Sequence, residues 1–153
     1  MHGRKHTAYS YRDDPSVPEF PDDNPIIVFD GYCVFCSWWA KTILRYDRNC
    51  RFKLMSAQSN VGQSLYRHFD LDPTDFQTNI FLEDGFPWFK SDAVIRMMQT
   101  LGLPWSLAVA FYPIPKFLRD PLYSFVARHR LKLAGRRETC YVPDSVDRER
   151  FIL

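Results

Sequence analysis

The sequence predicts an α/β domain, a three-layer sandwich around a mixed sheet with two helices added at its C-terminal end. Three observations carry that prediction. A continuous apolar run, 26-IIVF-29, leads through a helical pattern to an alternating run, 51-RFKLMSA-57, the order of a parallel strand pair joined by a right-handed crossover. Two further apolar runs meet at Glu83, Asp84 and Gly85, which marks a hairpin and therefore antiparallel strands. Another helical pattern follows that hairpin directly.

The elements follow in chain order. Residues 1–25 hold four Pro, five Asp or Glu and no apolar core of a signal peptide, so they read as a disordered leader. Ile26 to Phe29 is β-branched and aromatic throughout, which suits a strand buried on both faces. Asp30-Gly31 is a turn signal. From Cys33 to about Asp47, the residues Phe35, Trp38, Trp39, Thr42, Ile43 and Tyr46 recur at helical spacing. A second helix is capped by Ser59 or Asn60, carries Val61, Leu65 and Phe69 on one face, and ends at Asp72-Pro73. The hairpin occupies 79–90. Ser91 is the expected cap of a third helix with Ala93, Val94, Met97, Met98 and Leu101 inward, and Gly102 stops it. Two more helical segments run from Pro104 to about Phe111 and from Asp120 to about Leu133. The latter has Asp120 as N-cap, Pro121 at its first position and Gly135 beyond its end. The last ten residues, 144–153, read as a polar tail. Strand, helix, strand, helix, hairpin, helix is the layout of a thioredoxin-like sandwich, which places one such domain with a helical extension at residues 26–143.

Composition narrows the function. The chain has 153 residues, enough for one domain with a proper core. Its 16% aromatic content means that large rings must fill the interior or a groove. A net charge of +2 makes no case for a nucleic-acid partner. The most membrane-like stretch, 101–118, is cut by Pro104, Pro113 and Pro115 and falls short of the roughly 20 apolar residues of a spanning helix, so no membrane insertion is expected. Four cysteines do not make the dense framework of a small secreted domain, and a reducing, cytoplasmic compartment is the default.

The chemistry centres on 33-CVFC-36, which admits three readings. As a redox couple, the pair has the right geometry, because i and i+3 positions at a helix start bring Cα atoms within about 7 Å. Placement adds to spacing: unpaired N–H groups and the helix dipole favour thiolate at the first cysteine. Cys33 is then the exposed nucleophile and Cys36 the resolving thiol, and the uncharged Val34 and Phe35 between them predict only a mild lowering of the Cys33 pKa. As a zinc site, the pair lacks a second knuckle, since Cys50, Cys140, His68 and His129 are scattered singly. As core residues, both cysteines would be small hydrophobes, which is the reading adopted for Cys50. Asp30 has two readings as well: it supplies the Asp of an Asp-Gly turn, or its carboxylate relays protons to the thiols while raising their pKa values. Arg119, Arg128, Arg130, Lys132, Arg136 and Arg137 form a basic side, read as a solvated face with docking to an acidic partner as the alternative. Cys140 is either a third redox thiol or simply exposed.

Asp30-Gly31-Tyr32-Cys33-Val34-Phe35-Cys36 fits the pattern D-G-x-C-x-x-C, and the likeness continues through 54-LMSAQSNVGQSL-65, 79-NIFLEDG-85, 91-SDAVIRMM-98, 119-RDPLYSFVARHRLKLAG-135 and 140-CYVP-143. On these motifs the chain resembles the DCC family of thiol-disulfide oxidoreductase-like proteins, within the thioredoxin superfamily, over about residues 26–143. The resemblance implies a thioredoxin-like fold and disulfide exchange at Cys33 and Cys36. Thioredoxins proper place a cis-proline before the third strand; here Thr78-Asn79 stands at that position, and a trans peptide is expected.

The reading that results is a thiol-disulfide oxidoreductase, monomeric, with no bound cofactor or metal, acting on a protein or small-molecule thiol or disulfide through Cys33, Cys36 and Asp30. The alternative is a non-catalytic binding module whose aromatic groove is built from Tyr32, Phe35, Trp38 and Trp88, with zinc binding third.

Overall fold

A computed structural model describes residues 7–152 except 77, 137, 140, 142–144, 146 and 147. Five strands form one sheet in the order β4-β3-β1-β2-β5. They are β1 (Ile26–Phe29), β2 (Lys53–Ser56), β3 (Ile80–Glu83), β4 (Phe86–Phe89) and β5 (Phe151–Ile152). The crossover pair β1 and β2 is parallel, with Ile27 beside Leu54, and β3 runs antiparallel to β1, with Ile27 beside Phe81. The mixed sheet and its helices make the thioredoxin-like α/β fold expected from the element order.

Alternation along the strands divides the core into two halves. Ile26 and Val28 of β1 face Met55, Ile80 and Leu82, and that face is covered by Val61, Leu65 and Tyr66 of α2 (Asn60–His68). Ile27 and Phe29 face Leu54 and Phe81, and are covered by Ala40 and Ile43 of α1 (Val34–Tyr46) and by Ala93 and Met97 of α3 (Lys90–Leu101). All four residues of β1 are buried, as a continuous apolar run at the sheet centre requires. The 3-10 segment Trp105–Phe111 packs on α3, and α4 (Lys116–Ala134) packs on α1 and α3.

Several expectations are corrected. Residues 7–25 are not a loose leader: Tyr11 is only 2% exposed and joins the α2-side core, its hydroxyl donates to Asp22 at 2.8 Å, and the N–H of Tyr9 donates to Gly85 O at 2.9 Å. Proline and charge content hid an aromatic plug. The polar tail supplies an edge strand, since β5 pairs in parallel with β2 and Arg150 is buried in an ion pair with Asp47. Ser91 does not cap α3; the helix begins at Lys90 with Phe89 at its N-cap, and Ser91 Oγ donates to the Asp120 carboxylate instead. Asp120 is not a cap either, because α4 starts at Lys116 and holds Pro121 inside it. An interior proline lacks the N–H that the turn before it would use, so Pro121 removes one helical bond without ending the helix.

Candidate functional site

The site is built at the C-terminal end of β1. Asp30 leaves the strand 7% exposed, and its Oδ1 accepts from the Tyr32 N–H at 3.0 Å and from Gln58 Nε2 at 2.6 Å. Gln58 Oε1 accepts in turn from the Gly31 N–H at 3.0 Å, so a side chain from the loop after β2 fixes the turn. The Cys33 N–H donates to Asp30 O at 3.2 Å, which brings the chain into α1 with Cys33 as N-cap. There its Sγ accepts from the Cys36 N–H at 3.3 Å, the role a serine or aspartate oxygen plays at other helix starts.

The electrostatics separate the two thiols. The Cys36 side chain hydrogen-bonds to the Cys33 sulfur; with the Cys36 N–H and the Arg130 guanidinium adding to it, burial and the Asp30 charge are outweighed and the Cys33 thiol is held down at about 6. Cys36 moves the other way. Donating to Cys33 and lying in a buried site, its thiol is raised well above the ordinary range. The lowering at Cys33 exceeds the mild one expected from Val34 and Phe35, because the hydrogen bonds come from Cys36 and the positive charge from Arg130 of α4, not from the two intervening side chains.

Accessibility departs from expectation. Cys33 is fully buried, not exposed, whereas Cys36 is half-buried. The chain after α4 returns over the start of α1 and covers the first sulfur: Arg136 bridges Cys33 in antiparallel fashion, the Val34 N–H reaches Gly135 O at 3.4 Å, and the Tyr141 N–H donates to Gly31 O at 2.9 Å. The Arg136 guanidinium stands 5.4 Å over the Tyr32 ring. Cys36 and Asp30 open instead onto a cavity of about 540 Å³ between α1, α3 and α4.

The remaining candidates fall elsewhere. Cys50 is exposed with a left-handed φ of 50°, so it is a turn residue and not a core hydrophobe. Cys140 lies outside the described residues. His68 is buried between Asp14 at 2.7 Å and Ser10 at 3.0 Å, and His129 stacks on Phe125. Among the described residues no three His, Cys, Asp or Glu come together as metal ligands. The Thr78–Asn79 peptide is trans, and Asn79 lines the cavity with its Oδ1 bonded to the Tyr123 hydroxyl. Phe35 and Trp38 are exposed neighbours at 6.0 Å, but Trp88 pairs with Phe86 and Tyr32 with Arg136, and no ring contact joins these groups among the described residues. No helix among the described residues is long and apolar enough to cross a membrane.

Arg130 is the residue that sequence reading misplaced. Assigned to a solvated basic face, it is 8% exposed and its charge acts on both thiols. Its position after Tyr123 and Ala127 on the inward stripe of α4 is the periodic signal that points inward.

Residues 27–136 match the DCC1-like thiol-disulfide oxidoreductase family. An uncharacterised protein of Bacillus subtilis, YuxK, is 36% identical over 129 residues, covering 84% of this chain and 94% of that one. A DCC family protein of Arabidopsis thaliana, described as chloroplastic, is 33% identical over 120 residues, covering 78% of this chain and 70% of that one. No solved structure matches. On this match and these relatives, the chain belongs to the DCC1-like thiol-disulfide oxidoreductase family.

Proposed function

We propose that this family member exchanges disulfides with a protein or small-molecule substrate through Cys33 and Cys36, in a reducing, cytoplasmic compartment. The Cys33 thiolate attacks one sulfur of the substrate disulfide, forms a mixed disulfide and expels the other substrate sulfur as a thiolate. Cys36 then loses its proton, attacks Cys33 Sγ, closes the Cys33–Cys36 disulfide and releases the second substrate sulfur. Two electrons pass from the pair to the substrate, and the reverse sequence oxidises a dithiol.

The observation that carries this reading is the hydrogen bond from the Cys36 N–H to Cys33 Sγ at the α1 N-cap, where the thiol is held at about 6. It supports a standing thiolate at neutral pH on Cys33. The largest influence raising Cys36 is its bond to that sulfur. Once Cys33 is tied up in the mixed disulfide its negative charge is gone, and Cys36 is released to ionise. Asp30, beside the pair at the cavity wall, receives and returns that proton. Attack requires Arg136 and Tyr141 to shift off Cys33 and Gly31.

The test is trapping. In the Cys36→Ser variant the resolving step is lost, so partners accumulate on Cys33 and run as adducts on a non-reducing gel. No adducts, together with no reductase or oxidase activity in the unaltered protein, would overturn the proposal.

A further inference from the structure

The cavity beside Cys36 has one chemical feature that its own side chains leave unanswered. At about 540 Å³ it lies within the range of roughly 300–1,000 Å³ that holds small molecules, and its walls are apolar, among them Phe35, Trp39, Met97, Met98 and Leu122. Most of the polar groups on the wall are engaged. Asp30 is held by Tyr32 and Gln58, Asn79 by Tyr123, Ser91 by Asp120, and Arg119 by Asp92 at 3.1 Å.

Arg130 differs. One of its terminal nitrogens donates to Phe76 O, but its Nε is buried with no hydrogen-bond partner, and it has no ion pair among the described residues. A guanidinium buried to this degree is costly unless an anion faces it, and its fork matches a carboxylate with two parallel bonds. The Cys33 thiolate contributes charge nearby, yet no sulfur is bonded to Nε. Methionines at 97 and 98 line the wall, a side chain that adapts to varied apolar shapes.

We infer that this cavity binds an apolar small-molecule carboxylate, with the carboxylate on Arg130 and the aliphatic or aromatic body among the α1, α3 and α4 side chains. Arg119 on the same wall is already paired with Asp92, so Arg130 is the cation left to select a monoanion, and a volume of about 540 Å³ fits a small molecule. The inference concerns binding and stands apart from the thiol chemistry; a ligand seated there lies against Cys36.

Calorimetry of the reduced protein, and of the Cys36→Ser variant that cannot complete exchange, tests it with dodecanoate against dodecanol. We expect saturable one-to-one binding of dodecanoate, at least tenfold tighter than dodecanol. Arg130→Gln removes that preference while leaving dodecanol unchanged, and Val126→Trp, at the cavity wall, blocks both. If Arg130→Gln does not fold, the ratio in the unaltered protein and the Val126→Trp result still decide the matter. No saturable binding, equal affinity for the two probes, or dodecanoate binding that survives Val126→Trp overturns the inference. Trapping on Cys33 reads the exchange reaction separately, so the two proposals fail independently.

Discussion

The N–H of Cys36 donates to Cys33 Sγ over 3.3 Å, so one cysteine of the pair caps α1 by accepting from the other. Spacing and helix start are thus a single device: i+3 is the distance at which a cap side chain meets its N–H, and also the distance at which two cysteines can bond.

The first prediction is a titration. Thiolate absorbance of the reduced protein rises through a midpoint of about 6 for Cys33, well below the ordinary thiol value of 9.0. The folded value is the lower one, so the stabilisation is fully present above the unfolded value and is lost as pH falls through about 6. Reduced protein therefore loses stability across that interval relative to a Cys33→Ser variant. A midpoint above about 8 would remove the basis for a standing thiolate.

Arg130 and Asp30 act on the same sulfur with opposite sign. Arg130→Gln raises the Cys33 midpoint, and Asp30→Asn lowers it. Asp30→Asn also slows turnover of a disulfide substrate while adducts on Cys33 in the Cys36→Ser background still form, because a lost relay hinders resolution more than attack. Midpoints that do not move in either variant would show that neither charge reaches the thiol.

Gly62 of α2 tests how tightly the helix sits on the sheet. A Cβ there would stand 2.3 Å from Ser56 O and 3.0 Å from Ala57 Cα, both backbone atoms that cannot swing aside. Gly62→Ala is expected to cost about 1–3 kcal/mol despite the better helix propensity of alanine, read from urea unfolding. A gain in stability would mean that α2 has room to lift.

What the sequence made legible was whatever local pattern controls. The β1 run, the hairpin at Asp84-Gly85 and the α2 stripe of Val61 and Leu65 each announce themselves within a few residues. The site was half legible: Cys33, Cys36 and Asp30 stand together at the end of β1, but the cover over Cys33 depends on how the chain after α4 docks, which residue types alone do not encode, and the inward turn of Arg130 shows only in its spacing from Tyr123 and Ala127. Tyr11 and Arg150 were misread for a related reason. Each lies in a segment rich in charge or proline, and each gains its place from partners far along the chain, the α2-side core for one, Asp47 for the other.

The last prediction concerns that C-terminal closure. Asp47 is 5% exposed; its Oδ2 accepts from the Phe52 N–H at 2.8 Å and pairs with Arg150, which also donates to Leu44 O at 3.2 Å. Arg150→Ala leaves a buried carboxylate with a single backbone donor, and breaking a buried pair in this way costs about 3–5 kcal/mol. The double change Asp47→Leu with Arg150→Met removes both charges and is expected to recover part of that loss, because no unpaired ion remains. Urea unfolding with an unchanged slope measures both variants. A loss within about 0.5 kcal/mol for Arg150→Ala, the size of an ordinary surface change, would mean that the Arg150 bonds to Asp47 and Leu44 contribute nothing to holding the C-terminal segment against α1.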